Sequence, residues 1–280
     1  MDKMKKRRKV YIALIVILFI PIFCVWQNNG ISVSNIEFRS SRVSQNLNGF
    51  KILQISDLHN KKFGNNQKRL VNAVKKQAPE IIVITGDLID GKRTNINTAM
   101  SLIDNLIDIA PVYFVTGNHE AWSGQYDRLQ GLLSDAGVTI LDNDSVNINY
   151  NGSAVNVIGL IDPAFSGSPT YEIVENINDN MSLDENVLNI LLAHRPELFR
   201  FYVESDVDLV FSGHAHGGQF RIPFLGGIIA PDQGFFPEYT SGTYKLDDTT
   251  MVVSRGLGNS IIPIRVFNRP EIVSVTLGDL

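Results

Sequence analysis

Short apolar runs that each end in a polar loop constrain the fold of this chain more than any other feature. The runs are predicted strands over Lys51–Ile55, Ile81–Thr85 and Val112–Val115. Between them, the periodicity of apolar residues predicts amphipathic helices over residues 66–77 and 98–109. Strands that alternate with helices at this spacing form βαβ units, so the sequence predicts an early sheet of parallel strands.

After about residue 138, strand-like segments follow one another with few helices between them, and a β-like segment also precedes the first strand. These segments cover residues 31–38, 138–140, 146–150, 154–160, 187–192, 207–211, 242–246, 251–254 and 271–276. A second, partly antiparallel sheet is the simplest interpretation. No repeat, low-complexity run or long linker divides the sequence after residue 30, so the sequence predicts one domain over residues 31–280.

The N-terminus has the sequence pattern of a membrane anchor. Residues 1–9 carry six basic side chains, and residues 10–26 carry no charge. As a helix, the uncharged run is about 25 Å long, near the lower limit for a hydrocarbon core. Because positive charge stays on the cytoplasmic side, the pattern predicts a cytoplasmic tail over residues 1–9, a transmembrane anchor over residues 10–27 and an extracytoplasmic domain at the cell membrane. A cleaved signal peptide is the alternative.

Charge and cysteine content exclude several classes of protein. The chain has 25 basic and 29 acidic residues, a net charge of −4 and a pI of about 5.7. Nucleic-acid binders usually carry a basic patch or a high pI, so no nucleic-acid partner is expected. Cys24 is the only cysteine, which rules out an intramolecular disulfide and a cysteine-based metal site.

Every histidine of the chain follows an apolar strand-like run, and carboxylate and amide side chains lie in the same loops. The residues are His59, His119, His194, His214 and His216, with Asp57, Asp87 and Asn118 beside them. In open α/β sheets, ligands bind beyond the carboxyl ends of the strands, so these loops are expected to converge on one rim. Imidazole, carboxylate and amide donors suit intermediate divalent cations. The sequence therefore predicts a metal site.

The ordered series D-x-H, G-D, G-N-H-E, H and G-H-x-H resembles the calcineurin-like metallophosphoesterase superfamily over residues 51–280. The stretch 213–219 with Arg221 and Pro223, together with residues 254–258 and 269–271, is similar to its bacterial membrane-associated phosphodiesterase branch. That branch includes metal-dependent phosphodiesterases and, more distantly, pyrophosphatases that cleave UDP-diacylglucosamine. Ala215 departs from the branch, where threonine is more usual at this position.

The resemblance implies an α/β fold of two packed mixed β-sheets flanked by helices, with a dinuclear centre of two divalent metal ions (Mn, Fe, Zn or Co) between the sheet rims. It implies that the first metal is held by Asp57, His59 and His216, the second by Asn118, His194 and His214, and that Asp87 bridges them. His119 would be a catalytic residue that stabilises the transition state or protonates the leaving oxygen, and Glu120 would orient its other nitrogen.

The implied function is metal-dependent hydrolysis of phosphodiester or pyrophosphate bonds by a bridging hydroxide nucleophile, on an anionic envelope or lipid-linked substrate. A non-catalytic metal-binding module of the same fold is the alternative, and it predicts a missing ligand or a missing His119. Two further features stay open at this point. Arg221 and Arg255 either contact substrate phosphate or pair with surface carboxylates, and the apolar segment 220–240 either forms a lipid-facing lip or packs between the sheets, the favoured interpretation.

Overall fold

The computed structural model describes residues 2–166, 183, 186–260 and 263–280, but not the side chains of residues 2, 3, 5, 6, 10 and 12–16. The helices are α1 (Asp2–Asn29), α2 (Lys68–Lys75), α3 (Ile96–Leu106), α4 (Asn118–Ser123), α5 (Tyr126–Asp135) and α6 (Phe199–Val203). Short 3₁₀ turns join several of these elements to the strands, and one of them, Asn65–Gln67, leads into α2.

The first sheet has the strand order β1-β16-β2-β3-β4-β5. Its strands are β1 (Ser32–Arg39), β2 (Lys51–Ile55), β3 (Ile81–Thr85), β4 (Val112–Val115), β5 (Thr139–Ile140) and β16 (Glu271–Gly278). The run from β2 to β5 is parallel, which confirms the predicted early parallel sheet. The C-terminal strand β16 enters between β1 and β2, antiparallel to β2 and parallel to β1, so the sheet as a whole is mixed.

The second sheet has the order β14-β15-β9-β8-β7-β6. Its strands are β6 (Asp144–Tyr150), β7 (Ser153–Gly159), β8 (Leu188–Leu192), β9 (Leu209–Ser212), β14 (Gly242–Leu246) and β15 (Thr249–Val253). The four central strands are parallel, and the outer pairs β6–β7 and β14–β15 are antiparallel hairpins, which confirms the predicted partly antiparallel sheet. Small hairpins form from β10 (Arg221–Ile222), β11 (Gly226–Gly227), β12 (Ile229–Ala230) and β13 (Gly234–Phe235).

Alternation of side chains along the central strands produces the layers. In β3, Ile81 and Val83 face the core between the two sheets, whereas Ile82 and Ile84 face the core beneath α2, α3 and α5. A third core lies on the outer face of the second sheet, where Phe199 and Tyr202 of α6 pack. The layers are therefore helix, sheet, sheet and helix, as expected for an α/β protein with two packed mixed sheets.

The apolar N-terminal run lies within α1, which contains Pro21. Among the described residues, no helix combines the length and the apolar character that crossing a membrane requires. The transmembrane anchor predicted over residues 10–27 is therefore not supported by the structure.

Candidate metal centre

The predicted ligand residues all lie just beyond the carboxyl ends of parallel strands, at the facing rims of the two sheets. In the first sheet, Asp57 and His59 follow β2, Asp87 follows β3 and Asn118 follows β4; in the second, His194 follows β8, and His214 and His216 follow β9. All of these side chains are buried. The packing of one sheet against the other therefore brings loops of distant sequence into one place.

One group of donor atoms comes from Asp57, His59, Asp87 and His216, whose ligand atoms all lie within 4.8 Å of one another. The Nε2 atoms of His59 and His216 are 3.1 Å apart. Nε2 of His59 is 3.5 Å from Oδ2 of Asp87, and Nε2 of His216 is 3.5 Å from Oδ1 of Asp57. Oδ2 of Asp57 is buried without a hydrogen-bond partner among the described residues. A buried, unpaired carboxylate oxygen is costly unless a cation binds it.

A second group contains Asp87, His194 and His214, again within 4.8 Å. Nε2 of His194 is 3.3 Å from Oδ2 of Asp87 and 3.1 Å from Nδ1 of His214. Oδ1 of Asn118 is 3.2 Å from the same His194 nitrogen, so the Asn118 amide belongs to this group as well. Asp87 is thus common to both groups, through one oxygen atom that faces His59 on one side and His194 on the other.

Hydrogen bonds at the outer ring nitrogens of two histidines fix which nitrogen of each ring faces the centre. Nδ1 of His194 is 2.7 Å from the carbonyl oxygen of Thr85, which accepts its proton. Nε2 of His214 is 3.0 Å from Oδ2 of Asp232 and donates in the same way. In the neutral imidazoles, the facing nitrogens of His194 and His214 both carry lone pairs. When both rings are neutral, these two nitrogens, 3.1 Å apart, can bind one divalent cation, and the hydrogen bonds at their outer nitrogens hold the rings in that orientation.

Electrostatics at the centre also favour positive charge. Burial alone would lower the pKa of His194, but the carboxylates of Asp87 and Asp57 outweigh it and raise this pKa to about 10. Burial likewise opposes ionisation of Asp87, yet His194 and His59 hold the pKa of this carboxyl well below its ordinary range. In contrast, burial lowers the pKa of His59 to about 3. The centre therefore combines an ionised carboxylate with imidazole nitrogens, the donors that transition-metal ions prefer.

The backbone at the centre is held in an unusual conformation. Asp57, His59, Asp87, His214 and His216 all have φ between 44° and 62°, in the left-handed region. Each such residue costs on the order of 1–3 kcal/mol and persists only where its surroundings enforce it, typically at functional sites. Gly213 permits the close approach of two loops, because a Cβ there would lie 1.9 Å from Oγ of Ser56.

His119 lies beside the two groups and is the most exposed of the histidines, at 8%. Its ring centroid is 4.4 Å from that of His59. Nδ1 of His119 accepts a hydrogen bond from the backbone N–H of Gly91 at 2.9 Å. In the neutral ring the proton is consequently on Nε2, which lies 3.2 Å from Oγ of Ser260. His119 therefore presents an N–H donor beside the donor groups.

The prediction that Glu120 orients His119 is wrong, because Nδ1 of His119 is hydrogen-bonded to the backbone N–H of Gly91 and not to the Glu120 carboxylate. The Glu120 carboxylate instead accepts backbone N–H groups from Gly117 and Asp87, both at 2.8 Å, and from Ile89 at 3.1 Å. Burial, reinforced by the Asp87 charge, raises the pKa of Glu120 to about 8. Its function in the structure is to join the loop after β3 to the loop after β4.

Sequence reasoning missed Asp232, which partners His214. Arg195 holds Asp232 in place, because it donates to Asp232 at 2.6 Å and to Asp162 at 2.8 Å. The side-chain hydrogen bond from His214, aided by Arg195, lowers the pKa of Asp232 to about 2 despite partial burial. Asp232 lies in a turn of the apolar segment, and no spacing or motif in the sequence relates it to His214.

The two arginines whose roles the sequence leaves open differ in the structure. Arg255 forms an ion pair with Glu271 at 2.7 Å, so pairing with a carboxylate is the correct interpretation for it. Arg221 has no ion pair among the described residues, and it donates to the carbonyl oxygen of Gly217 at 2.8 Å. Arg221 is therefore the one of the two that stays available to an anionic group.

Comparison with known proteins identifies the class to which this fold and site belong. Residues 50–218 match the model of the calcineurin-like phosphoesterase family. The chain therefore belongs to this family, whose members use divalent metals, and the predicted superfamily is confirmed. Membership makes it a metallophosphoesterase, a hydrolase of phosphoesters; the membrane-associated branch stays a prediction.

The similar proteins span most of the chain. The uncharacterized metallophosphoesterase YkuE of Bacillus subtilis strain 168 is 31% identical over 244 residues, which cover 85% of this chain and 82% of YkuE. YkoQ of the same organism, also an uncharacterized metallophosphoesterase, is 28% identical over 270 residues. The aligned residues cover 94% of this chain and 97% of YkoQ. The solved structure of TT1561 of Thermus thermophilus has the same fold, with a TM-score of 0.51 at 12% identity over 74% of this chain and 90% of that one.

Proposed function

We propose that this protein hydrolyses phosphodiester or pyrophosphate bonds with two divalent metal ions. Asp57, His59 and His216 would hold the first ion, and Asn118, His194 and His214 the second, with Asp87 shared between them. The observation that carries this proposal is the position of Oδ2 of Asp87, which is 3.5 Å from the first group at His59 and 3.3 Å from the second at His194. One carboxylate oxygen between two donor sets can serve two metal ions that lie close together, as in two-metal hydrolases.

When bound, the two ions would supply a hydroxide nucleophile and hold the phosphoryl oxygens in line. Asp57 and Asp87 neutralise only part of the charge of two divalent ions, so the centre attracts an anionic phosphoester despite the net charge of −4 on the chain. The Nε2–H of His119 would donate to a phosphoryl or leaving-group oxygen, because the Gly91 N–H fixes the proton on that nitrogen.

The decisive experiment uses the full chain, stripped with a chelator and reloaded with single divalent metals. We expect two ions per chain and metal-restored cleavage of bis(p-nitrophenyl) phosphate, with slower cleavage of the monoester p-nitrophenyl phosphate. Because metal ions supply several kcal/mol of transition-state stabilisation, the restored rate should exceed that of the stripped protein by on the order of 10³-fold.

Two results would contradict the proposal. Two bound ions without turnover of either ester would favour the non-catalytic metal-binding module. Failure of any divalent metal to bind would remove the metal assignment itself, because the buried donor atoms would then need another explanation.

The apolar segment 220–240 bears on the substrate. Phe224, Leu225, Phe235 and Phe236 are 108%, 74%, 73% and 75% exposed, so the favoured interpretation of core packing is wrong for these side chains. Phe224 and Leu225 line a cleft of about 610 Å³ together with Ile222, Phe267, Arg221 and Tyr244, among others. Exposed apolar side chains of this size mark surfaces that bind apolar partners. They support a substrate that carries a lipid tail.

Arg221 lines the same cleft and is linked to the loop that carries His216. Its guanidinium donates to the carbonyl oxygen of Gly217, the residue after His216. An apolar cleft that also presents a basic group suits a phosphoester joined to a lipid. A location at the cell membrane, with the domain outside the cytoplasm, agrees with such a substrate and stays a prediction.

Replacing the two exposed side chains tests the substrate class. We expect the double variant Phe224→Ser/Leu225→Ser to lose about 10-fold in kcat/KM on a detergent-dispersed lipid phosphodiester. Full burial of one such side chain contributes about 1.5–3 kcal/mol, and a bound lipid would cover these two only in part. Cleavage of bis(p-nitrophenyl) phosphate should change much less. Ile107→Ser, a change at another exposed apolar side chain, directly after α3, is the control. Equal losses on both esters would contradict a lipid-binding role.

A further inference from the structure

The last turn of α1 is joined to the segment 263–270 by polar side-chain contacts. Gln27 is only 3% exposed, and its Oε1 accepts the backbone N–H of Asn268 at 3.1 Å. Oδ1 of Asn28 accepts the backbone N–H of Arg265 and the side-chain amide of Asn259, both at 3.1 Å. Two neighbouring amides of α1 thus fix the backbone of one loop at two points.

Two basic side chains of the domain form hydrogen bonds with the end of the same helix. Lys61 donates to the carbonyl oxygen of Asn28, and Arg69 donates to that of Asn29 at 2.6 Å. The last carbonyls of a helix lack intrahelical partners and carry partial negative charge, so these two donors stabilise this end. Phe23 also packs on Phe267, with ring centroids 5.5 Å apart. The end of α1 is therefore bound to the domain rather than separated from it.

The segment that α1 holds contacts the backbone and the ring of His216. The side-chain amide of Asn268 donates to the carbonyl oxygen of His216 at 2.7 Å and to that of Gln219 at 3.0 Å. Nη2 of Arg265 lies 3.4 Å from Nδ1 of His216. Arg265 is fully buried, and its Nη1 donates to the carbonyl oxygen of Arg255 at 2.8 Å. Both contacts of His216 thus come from residues whose backbone N–H groups are held by α1.

We propose that Gln27 and Asn28 are positioning residues of the first metal site: Gln27 acts on the backbone of His216 through Asn268, and Asn28 holds the same loop through the backbone N–H of Arg265. His216 has φ of 48°, a strained conformation that its surroundings must enforce. Outer partners that hold a metal-binding histidine typically contribute about 10–100-fold to metal affinity. This inference rests on the proposed function, in which His216 binds the first ion.

The test compares full-length variants by Co²⁺ titration and by amide hydrogen exchange of residues 214–219. For Gln27→Ala/Asn28→Ala we expect about 10–100-fold weaker binding of one Co²⁺ ion, an unchanged second ion and faster exchange in this loop. Asn28→Asp keeps the acceptor oxygen, so it should retain the Co²⁺ affinity that alanine at position 28 removes. Asn29→Ala is the matched control, because the Asn29 side chain donates only within α1, to the carbonyl oxygen of Val25.

The two readouts separate the inference from the function on which it rests. A lower unfolding temperature with unchanged Co²⁺ affinity and unchanged exchange at 214–219 would overturn the inference, because α1 would then only stabilise the fold. Equal weakening of both ions would overturn it as well. If the unaltered chain bound no pair of ions while exchange in the variant still rose, the positioning of His216 would hold and the dinuclear function would fail.

Discussion

Asp87→Asn is expected to remove both divalent ions and to reduce cleavage of bis(p-nitrophenyl) phosphate to the level of chelator-treated protein, a loss on the order of 10³-fold or more. The reason is the shared oxygen. Oδ2 of Asp87 faces His59 at 3.5 Å and His194 at 3.3 Å, so the substitution takes one anionic donor from both groups at once. Two divalent ions near each other repel strongly, and removing the charge between them weakens both sites.

The fold itself should survive this change. Oδ1 of Asp87 accepts the backbone N–H of His119 at 2.8 Å, and an asparagine oxygen can accept the same bond. Metal content after gel filtration, measured with the unfolding temperature, checks the prediction. Asp104→Asn, which removes a charge from an exposed position of α3, is the control. Retention of two ions by Asp87→Asn would show that the two groups do not depend on this carboxylate.

The central strands could be predicted from the sequence because they are buried on both faces. Ile81–Thr85 is a continuous apolar run, as parallel strands covered on both sides usually are. The rule that ligands bind beyond the carboxyl ends of such strands then located the loop after each one. It placed His194 and Asp87 in the same centre although 107 residues separate them, and their side chains are 3.3 Å apart.

Other parts of the fold depend on pairings that no local pattern reveals. The strand β16 enters between β1 and β2, so the two ends of the domain meet in one sheet. The sequence analysis does not predict the helix α5, although Leu129 and Leu133 are buried on it and Tyr126 and Leu132 pack against the same core. Whether the apolar residues of 220–240 face solvent or core depends on small hairpins, and the sequence pattern is the same in both cases.

Within the centre, residue types were predictable but the outer partners were not. Asp232 reaches His214 from a turn that is 18 residues away in the sequence. Arg265 reaches His216 from 49 residues away, without a carboxylate among its partners in the described chain. Glu120 follows His119 directly, yet it turns toward backbone N–H groups. Each of these contacts is set by tertiary packing of loops, for which neighbouring positions in sequence are a poor guide.

His119→Ala is expected to keep both ions and to lose about 10²–10⁴-fold in kcat, the usual contribution of a positioned proton donor. His119 belongs to neither of the two donor groups that contain Asp87, and its Nδ1 already accepts a hydrogen bond from the backbone N–H of Gly91. Ser260→Ala, which removes a hydroxyl 3.2 Å from Nε2 of His119, is the matched control and should change kcat far less. Metal content and kcat measured on the same samples check both statements.

The leaving group separates the two roles open to His119. A p-nitrophenolate leaves without a proton, whereas an alkoxide needs one. If His119 protonates the leaving oxygen, the variant should lose much more on an alkyl diester than on bis(p-nitrophenyl) phosphate. Equal losses on both would indicate that Nε2–H stabilises charge on the phosphoryl group instead. Loss of one ion in His119→Ala would contradict both roles and make His119 a ligand, with His59 and Asp90, whose donor atoms lie within 4.8 Å of its own.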